Sequence, residues 1–144
     1  MFMLSPLGGF QPSGLILGSV FQITTAYSTV TGWNTDPAYP GSAISGNGVV
    51  SKGGKSGALL AASCLVANGY PLGSYSCTLQ LFVNGISVVT GSPVSIAASG
   101  SGTVTVSTTA NISGGDVLTL QAIASSGAGT NLKMQPTSSW LRIT

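Results

Sequence analysis

The sequence predicts an all-β domain, a jelly-roll sandwich of about eight to ten antiparallel strands preceded by an extended arm. β-Branched runs recur at short spacing, and glycine-containing turns separate them. Only 4% of the 144 residues are charged, against roughly 25% in an average soluble protein. The length fits a single domain, and the low charge indicates that neighbouring subunits cover part of its surface.

Alternating hydrophobicity identifies the individual strands. The segment Thr103-Val-Thr-Val-Ser107 places valines on one face and hydroxyl groups on the other. Asn84-Gly85 stands between two apolar runs and predicts a type I′ hairpin, because both turn positions need a positive φ. The predicted strands are residues 20–30, 43–51, 57–67, 75–83, 86–90, 94–98, 102–110, 116–125, 131–135 and 138–144.

The side-chain inventory argues against most catalytic and metal sites. Histidine is absent, and the carboxylates are Asp36 and Asp116. Acid–base pairs, catalytic triads and zinc sites need histidine or clustered ligands, so we expect no enzyme, no metal and no cofactor. The segment Gly54-Lys-Ser56 resembles a phosphate-binding loop, but Val49 stands where that motif needs its first glycine.

Neither nucleic acid nor a membrane is an expected partner. Four Lys and Arg residues are too few for the basic surface that binds phosphates. The apolar stretch at residues 15–20 is too short for a membrane span.

Two cysteines and the larger aromatic residues allow alternative interpretations. Cys64 and Cys77 could pair, but both lie in apolar runs, which favours two small buried thiols.

Trp33 and Trp140 are predicted to be core or subunit-interface residues. In the alternative interpretation, loop aromatic residues form a platform that stacks on a sugar. The candidates for glycan contact are Tyr39, Tyr70 and Tyr75.

Four segments together resemble the jelly-roll superfamily of the complement globular head and tumour necrosis factor. They are the glycine-led apolar run 57–66, the Asn-Gly hairpin segment 79–85, the Gly-Asp-containing segment 111–121 and the closing strand 138–144. The resemblance implies a homotrimer with apolar strand faces packed together. The calcium-binding acidic loops of that family have no counterpart here, so no metal role carries over.

The same segments, together with residues 30–41, are similar to virion-surface proteins of tailed bacteriophages. That resemblance implies a structural virion protein: a trimeric capsid decoration or cement protein, or a minor tail protein. Its partners would be the major capsid protein or other virion proteins. It would be assembled in the host cytoplasm, where thiols stay reduced. The alternative is a receptor-binding or carbohydrate-binding module that contacts a host surface glycan.

The domain organisation predicted with this function is a docking arm, residues 1–22, followed by the sandwich, residues 23–144. Glycines and prolines keep the arm extended. We expect other chains to bury it, so that deletion of residues 1–18 leaves a folded trimer that no longer binds the particle. The predicted docking side chains are Phe2, Leu4, Leu7, Phe10, Leu15, Ile16, Leu17 and Phe21.

Overall fold

Two antiparallel sheets form the sandwich of residues 9–144, the part of the chain that the computed structural model describes. These residues contain no helix, and hence no helix long and apolar enough to cross a membrane. Their strands are β1 Ser13–Leu17, β2 Phe21–Gln22, β3 Ser28–Thr29, β4 Trp33–Thr35, β5 Ile44–Ser45, β6 Gly48–Val50, β7 Lys55–Asn68, β8 Tyr75–Val83, β9 Ile86–Thr90, β10 Val94–Ile96, β11 Ser101–Ile112, β12 Val117–Ala124, β13 Leu132–Met134 and β14 Trp140–Ile143.

The all-β sandwich is confirmed, but the described residues contain more strands than expected. The predicted strand 20–30 is broken into β2 and β3, and the predicted strand 43–51 is a short hairpin of β5 and β6. β1 and β4 were not predicted.

Each sheet has seven strands. In sheet I the order is β2-β13-β7-β14-β1-β4, and β11 occupies the other edge of β7. In sheet II the order is β10-β8-β12-β6-β5, with β9 beside β8 and β3 beside β12. All strand pairs are antiparallel, and non-consecutive neighbours such as β1 and β14 are typical of a jelly roll.

The core lies between the sheets and follows from alternation along the long strands. On β7 every second residue is buried, and its outward neighbours are more exposed. The same alternation on β12 buries Leu118, Leu120 and Ala122 against it. Trp33 is buried with its indole N–H donating to the carbonyl of Val30 at 3.1 Å, so it is a core residue. The inward residues of β7 are Ala58, Leu60, Ala62, Cys64, Val66 and Asn68.

The predicted boundary at residue 22 is wrong, because β1 is an interior strand of sheet I. β1 pairs with β14 on one side and with β4 on the other. Leu15 and Leu17 are fully buried among core residues of their own chain. The expectation that other chains bury this segment is therefore also wrong for β1: its own domain does so.

The predicted Asn84-Gly85 hairpin is confirmed between β8 and β9. Both residues have positive φ, 51° and 81°, as a type I′ turn requires. The side-chain amide of Asn84 donates to Asp116 at 2.9 Å, and the backbone N–H of Ser113 donates to the other oxygen of that carboxylate at 2.8 Å. Both hydrogen bonds hold the pKa of Asp116 below its ordinary value, and the bond from Ser113 has the larger effect.

Both cysteines are unpaired and buried between the sheets, Cys64 on β7 and Cys77 on β8. Burial raises the pKa of Cys77 to about 12. Burial, with a smaller contribution from neighbouring Cys77, raises the pKa of Cys64 further. The reactive thiolate is therefore almost absent at neutral pH.

We expect a thiol reagent such as dithionitrobenzoate to find no reactive thiol in the native protein at pH 7. After unfolding without reductant it should find two thiols per chain, because both sulfurs become accessible and regain their ordinary pKa. Rapid reaction of the native protein would contradict the buried positions of Cys64 and Cys77. Loss of both thiols from the unfolded protein would show that a disulfide had formed.

Candidate functional site

The outer face of sheet I is the first candidate site, and its register brings together residues far apart in the sequence. One row across the sheet runs Thr105, Ser63, Trp140, Ile16 and Asn34. The adjacent row runs Ser107, Ala61, Arg142 and Gly14. Apart from Ile16 and Asn34, the neighbours of Trp140 and Arg142 in these two rows are small or hydroxylated.

Arg142 lies between two aromatic rings on this face. Its guanidinium carbon is 3.9 Å from the ring centroid of Trp140 and 5.3 Å from that of Tyr39. One terminal nitrogen lies 3.8 Å from a carboxylate oxygen of Asp36. We call these four residues, Asp36, Tyr39, Trp140 and Arg142, the arginine cluster. Both rings lie within cation–π range of the guanidinium, and the Arg142 side chain stays 30% exposed.

A loop folded over β1 positions the cluster. The backbone N–H of Asp36 donates to the Gly14 carbonyl at 3.0 Å, and the Gly14 N–H donates to the Ser42 hydroxyl at 2.9 Å. The Ser42 hydroxyl in turn donates to the Tyr39 carbonyl at 2.7 Å. A Cβ atom at Gly14 would lie 2.8 Å from the Tyr39 ring, so glycine is required for the ring to reach Arg142.

The cluster combines the side chains that dominate protein interfaces. Tyrosine, tryptophan and arginine are the residue types most enriched at interface hot spots, particularly where small or polar neighbours surround them. Sequence reasoning identified Trp140 as a core or interface residue but missed Arg142. The available signal was the closing strand Trp140-Leu-Arg-Ile143, whose alternation places Trp140 and Arg142 on one face.

The predicted glycan-contact tyrosines do not converge. Tyr39 belongs to the arginine cluster on sheet I. Tyr70 and Tyr75 pack against each other where β7 ends and β8 begins, with ring centroids 5.5 Å apart and planes inclined by 39°. The structure thus separates one tyrosine from a pair at the end of the sandwich.

A polar groove of about 500 Å³ is the second candidate site. The groove lies at the end of the sandwich where β7 finishes. We call this the distal end, and the opposite end, where β7 begins at Lys55, the proximal end. The groove is called the distal groove below. None of the three predicted tyrosines lines it, although Tyr70 adjoins it by accepting a hydrogen bond from the Ser99 N–H at 3.0 Å. Its polar side chains are the buried Asn68 and the more accessible Ser99, Ser101, Thr130, Asn131, Lys133 and Gln135.

The predicted docking side chains are scattered. Phe2, Leu4 and Leu7 lie outside the described residues. Leu15 and Leu17 are core residues, which corrects their assignment as docking anchors, because a side chain between the two sheets cannot reach a partner. Ile16 faces outward beside Trp140, and Phe21 packs partly against the core. Phe10 is half-buried with the Lys55 ammonium 5.2 Å from its ring centroid, which places it at the proximal end.

No cluster that could hold a metal occurs in residues 9–144: no three His, Cys, Asp or Glu side chains come together there. The carboxylates lie apart, Asp36 in the arginine cluster and Asp116 at the turn before β12. The chemistry available at the two candidate sites is therefore hydrogen bonding, stacking and charge pairing.

Comparisons with known proteins bear on the fold. The sequence matches no protein-family model, and no curated protein matches it. Among solved structures, the chain is similar to that of Eiger TNF from S. frugiperda, with a TM-score of 0.64 and 12% sequence identity. The match covers 93% of this chain and 90% of that one. The protein therefore has the jelly-roll fold of tumour-necrosis-factor-like proteins.

Proposed function

We propose that the protein is a structural subunit of a bacteriophage particle, a homotrimer that decorates the capsid or tail. The observation that carries the proposal is the arginine cluster: Trp140, Tyr39 and Arg142, residue types typical of interface hot spots, are partly exposed on the outer face of sheet I, where Leu59 is also 43% exposed. Such a face suits close packing against another subunit better than it suits solvent. A tumour-necrosis-factor-like fold and a sequence with 4% charged residues support the same arrangement.

A threefold ring needs two different patches on each subunit, because each contact joins one patch to another on the neighbour. The arginine cluster would be the first patch. Edge strand β9 is suited to be the second, since Ile86 is 70% and Val88 38% exposed there. Apolar side chains of this kind can pack beside Trp140 and Ile16 and release ordered water.

Docking on the particle is proposed for the residues that precede β1. Leu15 and Leu17 serve the core, Phe21 packs partly against it and Ile16 lies beside Trp140, so the proposed anchors are Phe2, Leu4 and Leu7 together with Phe10. Phe10 follows the other three in the sequence and lies at the proximal end. Trimerisation would present three such segments together. Three weak contacts then act at high effective concentration, which multiplies their combined affinity.

The test is assembly of particles with a variant carrying Phe2→Ser, Leu4→Ser and Leu7→Ser. We expect this variant to fold and to have the mass of a trimer by light scattering, but to be largely absent from purified particles. The matched control is Leu72→Ser, because Leu72 is 82% exposed in the loop at the distal end. Full occupancy by the triple variant would rule out docking through this segment, and a monomeric wild-type protein at micromolar concentration would contradict the trimer.

The alternative function, a receptor-binding or carbohydrate-binding module, is favoured by one observation, the distal groove. The two functions are compatible, since a subunit that docks by its proximal end leaves its distal end free.

A further inference from the structure

We propose that the distal groove binds a sugar that carries a carboxylate, such as a uronic or sialic acid residue of a surface polysaccharide. The site itself requires no trimer and no particle; its role in host attachment rests on the proposed function. The groove's volume of about 500 Å³ lies within the range of small-molecule sites, about 300–1,000 Å³. Its lining, however, is richer in hydroxyl and amide groups than most such sites.

Charge is distributed so that the groove attracts an anion. Lys133 is exposed on β13 and, among residues 9–144, is the one charged side chain that lines the groove. The other cations lie elsewhere: Lys52 and Lys55 at the proximal end, and Arg142 in the arginine cluster. Both carboxylates of the sequence are also remote from the groove. A single cation without an opposing acid matches a ligand with one negative charge per sugar.

The remaining polar groups match a polyol. Ser99, Ser101 and Thr130 contribute hydroxyls, which can both donate and accept hydrogen bonds. Asn131 donates one amide N–H to the Ala128 carbonyl at 2.9 Å, and Gln135 donates one to the Lys133 carbonyl at 3.1 Å. These bonds fix the amides and leave their carbonyl oxygens as acceptors for sugar hydroxyls. A site for free phosphate would instead use several cations or a cluster of backbone N–H groups.

The groove is built on a rigid base, although three chain segments, 67–69, 99–101 and 130–135, contribute to it. Asn68 is buried, and its side-chain amide donates to the carbonyls of Gly73 and Ile96 at 3.0 and 3.1 Å. Its backbone N–H donates to the Gly100 carbonyl at 2.8 Å, and the Gly69 N–H donates to the Asn131 carbonyl at 2.9 Å. One buried asparagine therefore ties the loops together, so that little ordering entropy is lost on binding.

The location adds a geometric argument. β7 runs for 14 residues from the proximal to the distal end, a length of about 45 Å at roughly 3.3 Å per residue. A subunit anchored near Phe10 holds the groove at the far end of that strand. The groove then faces away from the anchoring surface, as attachment to an external polysaccharide requires.

The experiment is an NMR titration of the full chain with trigalacturonate and with its methyl ester, which has the same hydroxyls and no charge. We expect saturable shifts of backbone amides in residues 99–101 and 130–135 with the acid form. Binding of the ester should be at least about tenfold weaker, because it lacks the charge-assisted hydrogen bond to Lys133. Lys133→Gln should weaken binding of the acid form by a similar factor. Lys55→Gln, the same charge change at the proximal end, should leave it unchanged.

Several results would overturn the proposal. These are the absence of saturable shifts at millimolar trigalacturonate, equal affinity for acid and ester, or unchanged affinity in Lys133→Gln. Inorganic phosphate that binds as tightly as trigalacturonate would identify a general anion site and also overturn it. Failure of this binding leaves particle docking untouched, because the Phe2, Leu4 and Leu7 variant tests docking separately.

Discussion

A chain that lacks residues 1–18 will fail to fold, whereas a chain that lacks residues 1–8 will keep the sandwich. The longer deletion removes β1 from between β14 and β4 and opens sheet I along its length. Leu15 and Leu17 alone contribute about 3–6 kcal/mol of burial, at roughly 1.5–3 kcal/mol per side chain. Whole domains are stable by only about 5–15 kcal/mol, so the loss of these side chains and of two ladders of hydrogen bonds is decisive.

The measurement is circular dichroism with thermal unfolding of both truncated chains. Two point variants refine it: Leu15→Ala should lower the free energy of unfolding by about 2–5 kcal/mol, the usual effect of a large-to-small change in a core. Val20→Ala is the control, because Val20 is 53% exposed between β1 and β2 and belongs to neither proposed patch; it should lower the free energy of unfolding clearly less. A folded, cooperatively unfolding chain that starts at residue 19 would contradict the interior position of β1.

Trp140→Ala will dissociate the proposed trimer and leave the monomer folded. Truncation of a central hot-spot residue costs about 2 kcal/mol or more per contact, which is roughly a thirtyfold weaker association at each interface. In a ring of three subunits the loss occurs at every interface. The variant should therefore be monomeric at concentrations where the wild-type protein is trimeric.

Sedimentation equilibrium over a range of concentrations measures this effect. The matched control is Tyr27→Ala, since Tyr27 is an aromatic residue that is 40% exposed between β2 and β3 and belongs to neither proposed patch. Tyr27→Ala should remain trimeric. Unchanged association of Trp140→Ala would place the subunit contact away from the arginine cluster, and equal weakening by both variants would point to a loss of overall stability.

The sequence predicted the long strands and the hairpin well because their signals are local. Alternation along β11 and β12 and the Asn84-Gly85 turn need no information from distant residues. β1 was missed because Gly14 and Gly18 were interpreted as breaks in an arm. Gly14 is required for a different reason, the close approach of the Tyr39 ring, and that contact is visible only once the loop has folded over the strand.

The two candidate sites show the same limit. Trp140 and Arg142 are two residues apart in sequence, but their partners Asp36 and Tyr39 come from the loop that follows β4, about 100 residues earlier in the chain. The distal groove joins residues from three separate segments, which are held together by backbone hydrogen bonds from Asn68 to Gly100 and from Gly69 to Asn131. Pattern analysis assigns residues to strands and loops, but not to a shared surface.

The pairing of β1 with β14 joins nearly the first described residues to nearly the last. During synthesis on the ribosome, β1 therefore emerges long before its partner and must wait while the rest of the sandwich is made. Sheet I is completed only when β14 enters between β1 and β7, and β14 also carries Trp140 and Arg142. The step that finishes the fold is thus the step that creates the arginine cluster, so a nascent chain cannot associate through this face before its own domain is complete.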